Sequence, residues 1–417
     1  MAVMPIIASM EMRGILVDSE KLKDMEVTLL NKLKCSEQEC YKAAGKKFQI
    51  NSTVQVRAIL YDELQLDTKS NVKIKETVCQ GAKSTSETML KSLAAFHPLP
   101  KLILDYRQLH KAHATFLVGI EQHVKNDVIR PTWEQTAAAT GRIAANNPNI
   151  QAIPKSGIDL TDISVADRKS QEVSGTQHLN FRSIYTSRPG FVFLAADFNH
   201  VECRVFAHAA ADSSLTELLA TGRDLFKVLA AKWLNKSEDN ITTEDRERTK
   251  RIVYASLYGA GARKLTDILG VSYDQALTVF SSFNRTFPSL KSFGRSVVAR
   301  CSRDGGTLST LCGRVRRFAH IDSTDAALKS QAERQAVNFI VQGSAADLCK
   351  LAMVRTVHQL RTAGLEAYLL LTIHDELVWE IREDHVNRAA DIIKSSMEGC
   401  GVEAGAGGRL PVTLRVG

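Results

Sequence analysis

The sequence lacks the cysteine spacing of a disulfide-stabilised or zinc-binding protein. Its eight cysteines include no C-x-x-C pair and follow no regular interval; they are Cys35, Cys40, Cys79, Cys203, Cys301, Cys312, Cys349 and Cys400. Disulfide frameworks and structural zinc sites both depend on a recognisable cysteine spacing. The pattern argues against both and favours a reducing compartment.

Long apolar runs are also missing, as is the pattern of a cleaved leader. No stretch approaches the roughly 18 apolar residues that cross a bilayer, and Glu11, Asp18 and Glu20 near the N-terminus are untypical of signal and transit peptides. The net charge is only +8, with a pI of about 9.0. Such a balance favours a polyanionic partner, although many enzymes share it.

The length of the chain, 417 residues, exceeds one ordinary hydrophobic core and predicts roughly two to four subdomains. Residues 1–125 are mostly helical in pattern, with Asp18 as a predicted N-cap and Ser84 and Glu87 as a predicted capping box. Residues 130–155 are rich in turn formers. Residues 156–180 are polar and weakly patterned, which predicts a surface insertion.

Two apolar runs each deliver an aspartate at the end of a predicted strand. Asp197 follows "GFVFLAA", and Asp375 lies between "YLLLTI" and "ELVWEI", which predict two strands joined by a turn. Taken alone, either residue could be an ordinary turn or cap aspartate. Together with Glu202 and Glu376 they indicate a divalent-metal site built from oxygen ligands, the type that Mg²⁺ prefers. Two such metals can stabilise the attacking and leaving oxygens of a phosphoryl transfer.

A helix over 245–265, "DRERTKRIVYASLYGAGARKL", matches a nucleoside triphosphate in its polarity. Arg246, Lys250, Tyr254 and Tyr258 recur every four residues, so that they share one broad helical face. The first half of that face is cationic and the second half aromatic, as phosphates and a stacking base require. An amphipathic helix with a solvated basic face would show the same pattern, so the segment alone leaves both interpretations open.

These stretches resemble the motifs of DNA polymerase family A, the bacterial polymerase I type. "FLAADFNHVECRVFAHAAAD" is similar to its first palm motif, "RERTKRIVYASLYGAGARKL" to its fingers motif, and "TIHDELVWEI" to its last palm motif. Three further stretches agree in order: "FQINSTVQVRAIL", "TAAATGRIAANNPNIQAIP" and "QAERQAVNFIVQGSAADLCKLAM". Within the family, "IVYASLYGAG" and "LPKLILDYRQLHK" look closest to animal polymerase nu, with polymerase theta next.

The resemblance implies a role for each residue of the catalytic motifs. Asp197, Asp375 and the carbonyl of Phe198 would hold two Mg²⁺, for which Mn²⁺ is expected to substitute. Glu376 would be a secondary acid near the metals. Arg246 and Lys250 would contact the triphosphate.

The resemblance also assigns three residues around the incoming nucleotide. Tyr254 would stack beside it, and Tyr258 would lie under the template base and hydrogen-bond Glu202. Glu202 would occupy the space of a ribose 2′-hydroxyl, although it could instead be a plain surface acid on its helix.

A second group of residues would contact DNA rather than perform chemistry. Asn338 and Gln342, four apart on one predicted helical face beside Arg334, would read the minor-groove acceptors that all base pairs share. Arg142 and His374 would lie at the primer terminus. The remaining predicted contacts are with phosphates or the template side: Asn51, Ser52, Lys111 and Arg251. Without the resemblance, local capping is the better interpretation of Asn51 and Ser52.

The sequence departs from the family at positions that border the nascent base pair. The usual Tyr-Ser-Gln after the first aspartate is Phe198-Asn199-His200, a glycine is replaced by Ala255, an asparagine by Ala152, and a fingers histidine by Phe226. No metal ligand or phosphate contact is lost. The departures put base selection in doubt, and the extra charge of Arg251 beside Lys250 is expected to loosen it.

The resemblance implies an α+β right-hand polymerase fold with an antiparallel-sheet palm and a mostly helical thumb and fingers. The expected boundaries are 1–130 for the thumb, 131–212 and 333–417 for the palm, and 213–332 for the fingers. The implied activity is DNA-directed DNA synthesis from dNTP on primer-template DNA by a nuclear monomer with a repair or translesion role. No proofreading nuclease of ~150 residues is expected in this chain.

Two alternatives stay open from the sequence. A catalytically silent nucleic-acid-binding module could use the same fold, but Asp197, Asp375, Lys250 and Arg246 would then have no evident use. A single-subunit RNA polymerase would prefer ribonucleotides, which Glu202 argues against.

Overall fold

The computed structural model describes residues 2–70, 72, 74, 81–160, 178–259, 261–406 and 408–416. Most of the predicted insertion at 156–180 lies outside the described residues. The helices, in chain order, are α1 (Met4–Arg13), α2 (Ser19–Ala44), α3 (Thr53–Arg57), α4 (Leu66–Lys69), α5 (Glu87–Leu93), α6 (Pro98–Ala112), α7 (Gly119–Glu121), α8 (Val201–Ala209), α9 (Ser213–Ala220), α10 (Leu225–Leu234), α11 (Thr243–Leu257), α12 (Ala262–Leu269), α13 (Tyr273–Thr286), α14 (Ser289–Arg303), α15 (Ala326–Asn338), α16 (Ser344–Thr362) and α17 (Val386–Glu403).

Strands are short in the first half of the chain and longer near the two acidic motifs. They are β1 (Ile15–Val17), β2 (Val124–Lys125), β3 (Val128–Ile129), β4 (Thr132–Glu134), β5 (Ala144–Asn146), β6 (Ile158–Asp159), β7 (His178–Leu179), β8 (Tyr185–Thr186), β9 (Phe191–Phe198), β10 (Thr307–Ser309), β11 (Val315–Arg317), β12 (Ala367–Ile373), β13 (Glu376–Arg382) and β14 (Val412–Val416).

The chain divides into two compact units. One comprises residues 13–132 and 145–188, and the other comprises 1–12, 133–144 and 189–417. The first unit is mainly helical, as its sequence predicts. Asp18 caps α2 by accepting a hydrogen bond from the Lys21 N–H, and the left-handed φ of +61° at Gly14 ends α1.

Local prediction failed at α5. The helix begins at Glu87 with Ser86 as its N-cap residue, and no side chain caps it. The Ser84 hydroxyl instead accepts a hydrogen bond from the Ser86 N–H at 3.2 Å. The predicted capping box of Ser84 and Glu87 is therefore wrong, because the serine forms a local turn before the helix starts.

The core of the first unit packs α2, α5 and α6 around a turn of π-helix, Ala58–Glu63. Strands β2, β3, β1 and β8 form an antiparallel sheet in that order among the described residues. The predicted insertion is closed at its base by β6 and β7, which pair Ile158 with Leu179 and Asp159 with His178.

The second unit is built on an antiparallel sheet in the order β12, β13, β9, β14 among the described residues. Leu377, Trp379 and Ile381 of β13 are fully buried, and α16 and α17 pack on the sheet. The strands predicted for 190–198 and on both sides of His374-Asp375 are thereby confirmed.

The segment between β9 and β12 is mostly helical and has its own core. Phe206, Phe226, Phe283 and Phe339 are buried there. Leu308 of the short hairpin β10–β11 and Phe318, which directly follows β11, also belong to this core.

One continuous helical stretch within the described residues, Ala326–Thr362, has the length and composition of a membrane-crossing helix, with a mean hydropathy of 1.2 in its most apolar window. Because 61% of that window is buried inside the protein, the stretch has the character of a core helix. It combines α15, α16 and a π-helical turn, Phe339–Gly343. The cysteines among the described residues are free thiols, as their spacing predicts.

Candidate active site

The two predicted aspartates meet at one edge of the β9–β13 sheet. Asp197 is the penultimate residue of β9, and its cross-strand partners are Glu376 on β13 and Thr413 on β14. The next residue, Phe198, donates its N–H to the carbonyl of Asp375 at 3.2 Å. Residues far apart in the sequence are thus joined through the backbone at the end of the strands.

The turn between β12 and β13 determines which acids share a face. Directly opposed residues on neighbouring antiparallel strands point to the same side of a sheet, so Asp197 and Glu376 share one face. His374 adopts a left-handed φ of +56° and its side chain is exposed. This positive φ twists the chain just before Asp375, where simple strand alternation would not apply.

The surroundings of Asp375 disfavour the ionised form of its carboxyl group. Burial raises its pKa to about 7; the guanidinium of Arg142 opposes the shift, while the carboxylates of Glu202 and Asp197 add to it. Its side chain nevertheless keeps an exposed fraction of 24%. A carboxylate in this setting is favoured by a cation placed at its open side.

The oxygen atoms at this edge fit a hard divalent cation. Asp197 and Asp375 would hold it together with the carbonyl of Phe198, and water and phosphate oxygens commonly supply the remaining ligands of Mg²⁺. Within the part of the chain that the structure describes, no group of three His, Cys, Asp or Glu side chains is arranged to hold a metal.

Glu202 lies at the centre of a hydrogen-bonded network. Its side chain is only 5% exposed, in the first turn of α8. One carboxylate oxygen accepts from the guanidinium of Arg142 and the other from the hydroxyl of Tyr258. The same guanidinium lies 3.8 Å from Asp375. Glu202 is therefore a buried, doubly bonded acid rather than a surface acid of its helix.

The predicted cationic half of α11 is present, but its two members differ in their contacts. Arg246 donates from Nε to Asp224 at 2.7 Å and from Nη1 to Glu247 at 2.6 Å, and its guanidinium lies over the Phe226 ring. Lys250 makes no salt bridge within the described residues. An anion can therefore approach Lys250 directly, whereas at Arg246 it must compete with Asp224.

The two tyrosine rings of the α11 face lie next to each other, which agrees with the shared face that their spacing predicts. The rings of Tyr254 and Tyr258 have centroids 6.4 Å apart and planes 20° apart. Burial raises the pKa of Tyr254, with the buried thiol of Cys203 and the carboxylate of Glu202 adding to the shift. Burial and then Glu202 raise the pKa of Tyr258. Both phenols are therefore neutral.

His200 and Phe226, two of the departures from the family, contact each other. Their ring centroids are 4.8 Å apart in an edge-to-face arrangement. Burial lowers the pKa of His200 to about 4; Asp224 opposes the shift, and Arg204, Arg246 and Lys250 add to it. His200 therefore lies in the electrostatic field of the predicted triphosphate contacts, a neighbourhood that its sequence position alone does not indicate.

Several predicted DNA contacts converge on this network. Gln342 opposes the rise in the Tyr258 pKa that burial and Glu202 cause, so it lies near the phenol. Arg334 lies beside Gly259 at the end of α11 and donates to the Ser330 hydroxyl. Asn338 Oδ1 and Arg142 Nε are buried without a partner among the described residues.

Asn338 and Gln342 lie on either side of the junction between α15 and a π-helical turn. Gln342 lies in the π-helical turn Phe339–Gly343, where hydrogen bonds close wider rings than in an α-helix. Their shared face and their contacts with the minor groove stay predictions. Four-residue spacing alone could not have revealed this turn.

Three predicted phosphate contacts lie in the other unit, 13–132 with 145–188. Ser52 is the N-cap residue of α3, and its hydroxyl accepts from the Gln55 N–H at 3.4 Å. Asn51 and Lys111 are exposed. Capping accounts for Ser52 without DNA, so the roles of Ser52, Asn51 and Lys111 in DNA binding stay predictions.

Arg251 is exposed on α11 and donates from Nε to the Glu247 carbonyl at 3.4 Å. Its predicted effect on base selection also stays a prediction. Sequence reasoning missed Asp224, the partner of Arg246, and Cys203, which affects the pKa of Tyr254 after burial itself. The "GRDLF" segment contains an N-cap signal for Asp224, which accepts from the Phe226 and Lys227 N–H groups. Nothing in the segment predicts the contact of Asp224 with Arg246.

Comparison with known proteins gives a consistent match along almost the whole chain. The family model described as DNA polymerase family A matches residues 19–417. A thermostable DNA polymerase I of Thermus filiformis is 32% identical over 395 residues, which are 94% of this chain and 44% of that protein. DNA polymerase I of Pseudomonas aeruginosa is 31% identical over 417 residues, or 98% of this chain and 43% of that protein.

A solved structure supports the same assignment. The POL domain of Pol1 from M. smegmatis, in complex with DNA primer-template and dNTP, matches with a TM-score of 0.86 and 29% identity, covering 100% of this chain and 69% of that one. The predicted α+β polymerase fold is confirmed. The chain spans less than half the length of the curated relatives cited above, and it belongs to DNA polymerase family A.

Proposed function

We propose that the chain is a DNA-directed DNA polymerase that adds deoxynucleotides to a primer 3′-hydroxyl on a template strand. The observation that carries the proposal is the convergence of Asp197 and Asp375 at one sheet edge, joined through Glu202 to Tyr258 on the cationic and aromatic helix α11. The Pol1 structure bound to primer-template and dNTP supports it.

Separate residues of the site would bind the metal ions and the triphosphate. Asp197, Asp375 and the Phe198 carbonyl would hold divalent cations, with Glu376 as a further acid on the Asp197 face. When bound, two such ions activate the primer hydroxyl and stabilise the charge on the leaving pyrophosphate. Lys250 would bind the triphosphate through a single positive charge. Arg246 would bind it through two parallel hydrogen bonds of its guanidinium, once this group has left Asp224.

Selection of the sugar would depend on Glu202. Its position is held by Arg142 on one side and by Tyr258 on the other. A buried carboxylate held in this way cannot move aside cheaply for a 2′-hydroxyl. Deoxynucleotides would therefore be preferred, which favours a DNA polymerase over an RNA polymerase.

The remaining assignments depend on the resemblance within the family. "IVYASLYGAG" and "LPKLILDYRQLHK" support a place beside the animal polymerases nu and theta, and with it a nuclear location, a monomeric state and a repair or translesion role. The thumb, palm and fingers would follow the boundaries near 130, 212 and 332. Extension past an abasic site in the template tests the translesion role, and a complete stop opposite the lesion would contradict it.

The central test is primer extension with each single dNTP in Mg²⁺. We expect the wild type to add the templated nucleotide, and Asp375→Ala and Asp197→Ala to lose at least a thousandfold in rate, since each removes a metal ligand. Asp384→Asn is the matched control, because Asp384 is an exposed acid that pairs with Arg382 at the far end of β13. Activity that survives in Asp375→Ala would overturn the mechanism, and a wild type that binds DNA without extending it would indicate a silent module.

A further inference from the structure

The guanidinium of Arg314 joins two separate segments that carry predicted DNA contacts. Its Nη2 donates to the carbonyl of Thr140 at 2.7 Å and to the carbonyl of Gly343 at 3.1 Å. Thr140 lies two residues before Arg142, and Gly343 directly follows Gln342. A single side chain therefore connects the loop of Arg142 to the π-helical turn of Gln342.

Arg314 is itself held from several directions. Its Nε donates to Asp347 Oδ1 at 2.8 Å, and Asp347 Oδ2 accepts from the Thr310 hydroxyl at 2.6 Å. The Thr310 hydroxyl in turn accepts from the Arg314 N–H, and the guanidinium lies over the Phe339 ring. Asp347 is only 10% exposed. These contacts fix the plane of the guanidinium.

Glycines occupy the two places where the guanidinium approaches the backbone most closely. A Cβ atom at Gly141 would lie 2.7 Å from Arg314 Cζ, and one at Gly343 would lie 3.2 Å from Nη2 and 2.9 Å from the Thr310 methyl carbon. A side chain at either position would push the segment away from the arginine. The absence of a Cβ is thus matched to this contact on both sides.

The segments that Arg314 joins lead directly into the Glu202 network. Arg142 bonds Glu202 and lies 3.8 Å from Asp375, while Gln342 lies near the phenol of Tyr258, the second partner of Glu202. A small displacement of either segment would move both ends of the network. Misplacement of about 1 Å at such sites can lower a rate by roughly a hundredfold.

We propose that Arg314, oriented by Asp347 and Thr310, is a positioning residue that sets the distance between Arg142 and Gln342 and thereby tunes recognition of the primer terminus. This inference depends on the proposed polymerase function. Arg314 acts through the two segments that it joins and does not itself touch the reacting atoms. A lysine could satisfy Asp347 or one carbonyl, but it lacks the planar fork that bonds all three groups at once.

The test is a mutational cycle in single-nucleotide extension from matched and mismatched primer termini. We expect Arg314→Lys to lower the rate from a matched terminus about tenfold and to narrow the gap between matched and mismatched termini, with the KM for dNTP changed less than twofold. Arg316→Lys is the matched control: Arg316 lies on the same hairpin over Phe318 and Phe339. It is expected to leave both rates within twofold of the wild type.

The decisive comparison introduces Arg314→Lys into the double variant Arg142→Ala, Gln342→Ala. This variant lacks the two side chains that Arg314 is proposed to position. We expect no further loss there, because coupled residues give non-additive effects. An equal tenfold loss in both backgrounds, accompanied by a lower Tm, would show a merely structural role and overturn the inference. If the wild type extends no primer at all, the proposed function fails instead, so the two failures can be distinguished.

Discussion

Tyr258 donates its hydroxyl proton to the carboxylate of Glu202, and this bond ties the end of helix α11 to the first turn of helix α8. Glu202 is buried and Tyr258 is half-buried, and Arg142 bonds the opposite carboxylate oxygen. The position of Glu202 is therefore determined jointly by a helix that would bind the nucleotide and a loop that would bind the primer.

Tyr258→Phe should weaken the exclusion of ribonucleotides by roughly tenfold or more, since a hydrogen bond to a charged group contributes about 1.5–3 kcal/mol. The ratio of kcat/KM for dNTP and rNTP measures the effect. Tyr273→Phe, at a half-exposed tyrosine on α13, should leave the ratio unchanged. If Glu202→Ala itself keeps full exclusion, the gate assignment is wrong.

Asp224→Asn should lower the KM for dNTP several-fold with little change in kcat. The substitution removes the charge that holds Arg246, while asparagine still caps α10. Steady-state kinetics on a matched primer provide the measurement. Glu247→Gln is the control for the other partner of Arg246, and an unchanged or raised KM in Asp224→Asn would contradict the proposed competition.

Lys250→Ala should lower kcat/KM for dNTP by roughly ten- to a hundredfold, because a charge-assisted contact to phosphate is lost. Arg248→Ala removes an exposed charge from the same helix and should have an effect of less than threefold. Equal losses in the two variants would indicate that only the overall charge of α11 matters.

Arg251→Ala should reduce misincorporation if the charge beside Lys250 loosens base selection. The measurement is the rate of each incorrect single-nucleotide addition relative to the correct one, at equal enzyme activity. Misincorporation that stays at the wild-type level would remove this role from Arg251.

Gly141→Ala should lower the extension rate more than its effect on stability explains. The substitution combines the strain of a positive φ, about 1–2 kcal/mol, with a Cβ too close to Arg314. Gly190→Ala is the matched control, because Gly190 has the same φ of +79° and no atom within 4 Å of its added Cβ. Equal changes in Tm and rate for both variants would exclude a specific role for the close approach.

Much of the framework could be predicted from the sequence because it is local. The strand ending at Asp197, the hairpin around Asp375 and the cap at Asp18 each follow from apolar patterning and a single polar signal. The four-residue repeat from Arg246 to Tyr258 likewise predicts a shared face on α11, and the stacking of Tyr254 on Tyr258 agrees with it.

The contacts that adjust the site could not be predicted, because they join segments distant in the sequence. No pattern connects Asp224 with Arg246, or Arg314 with Thr140, a pair 174 positions apart. The π-helical turn at Phe339–Gly343 is also invisible to periodicity, since it adds one residue to an otherwise regular helix. The capping box predicted at Ser84 failed for a different reason: the sequence signal was local, but the serine hydroxyl forms a turn instead of capping the helix.

Strand β9 is completed by a partner from far along the chain, and this has a consequence for folding. Its last residues pair with β14, and the Thr413 hydroxyl bonds Asn199 across 214 positions. Until residues 412–416 have docked, one edge of β9 presents unpaired N–H and C=O groups next to Asp197. Completion of the acidic edge therefore requires a long-range contact, and we expect an open β9 edge to be the point at which two incompletely folded chains pair with each other.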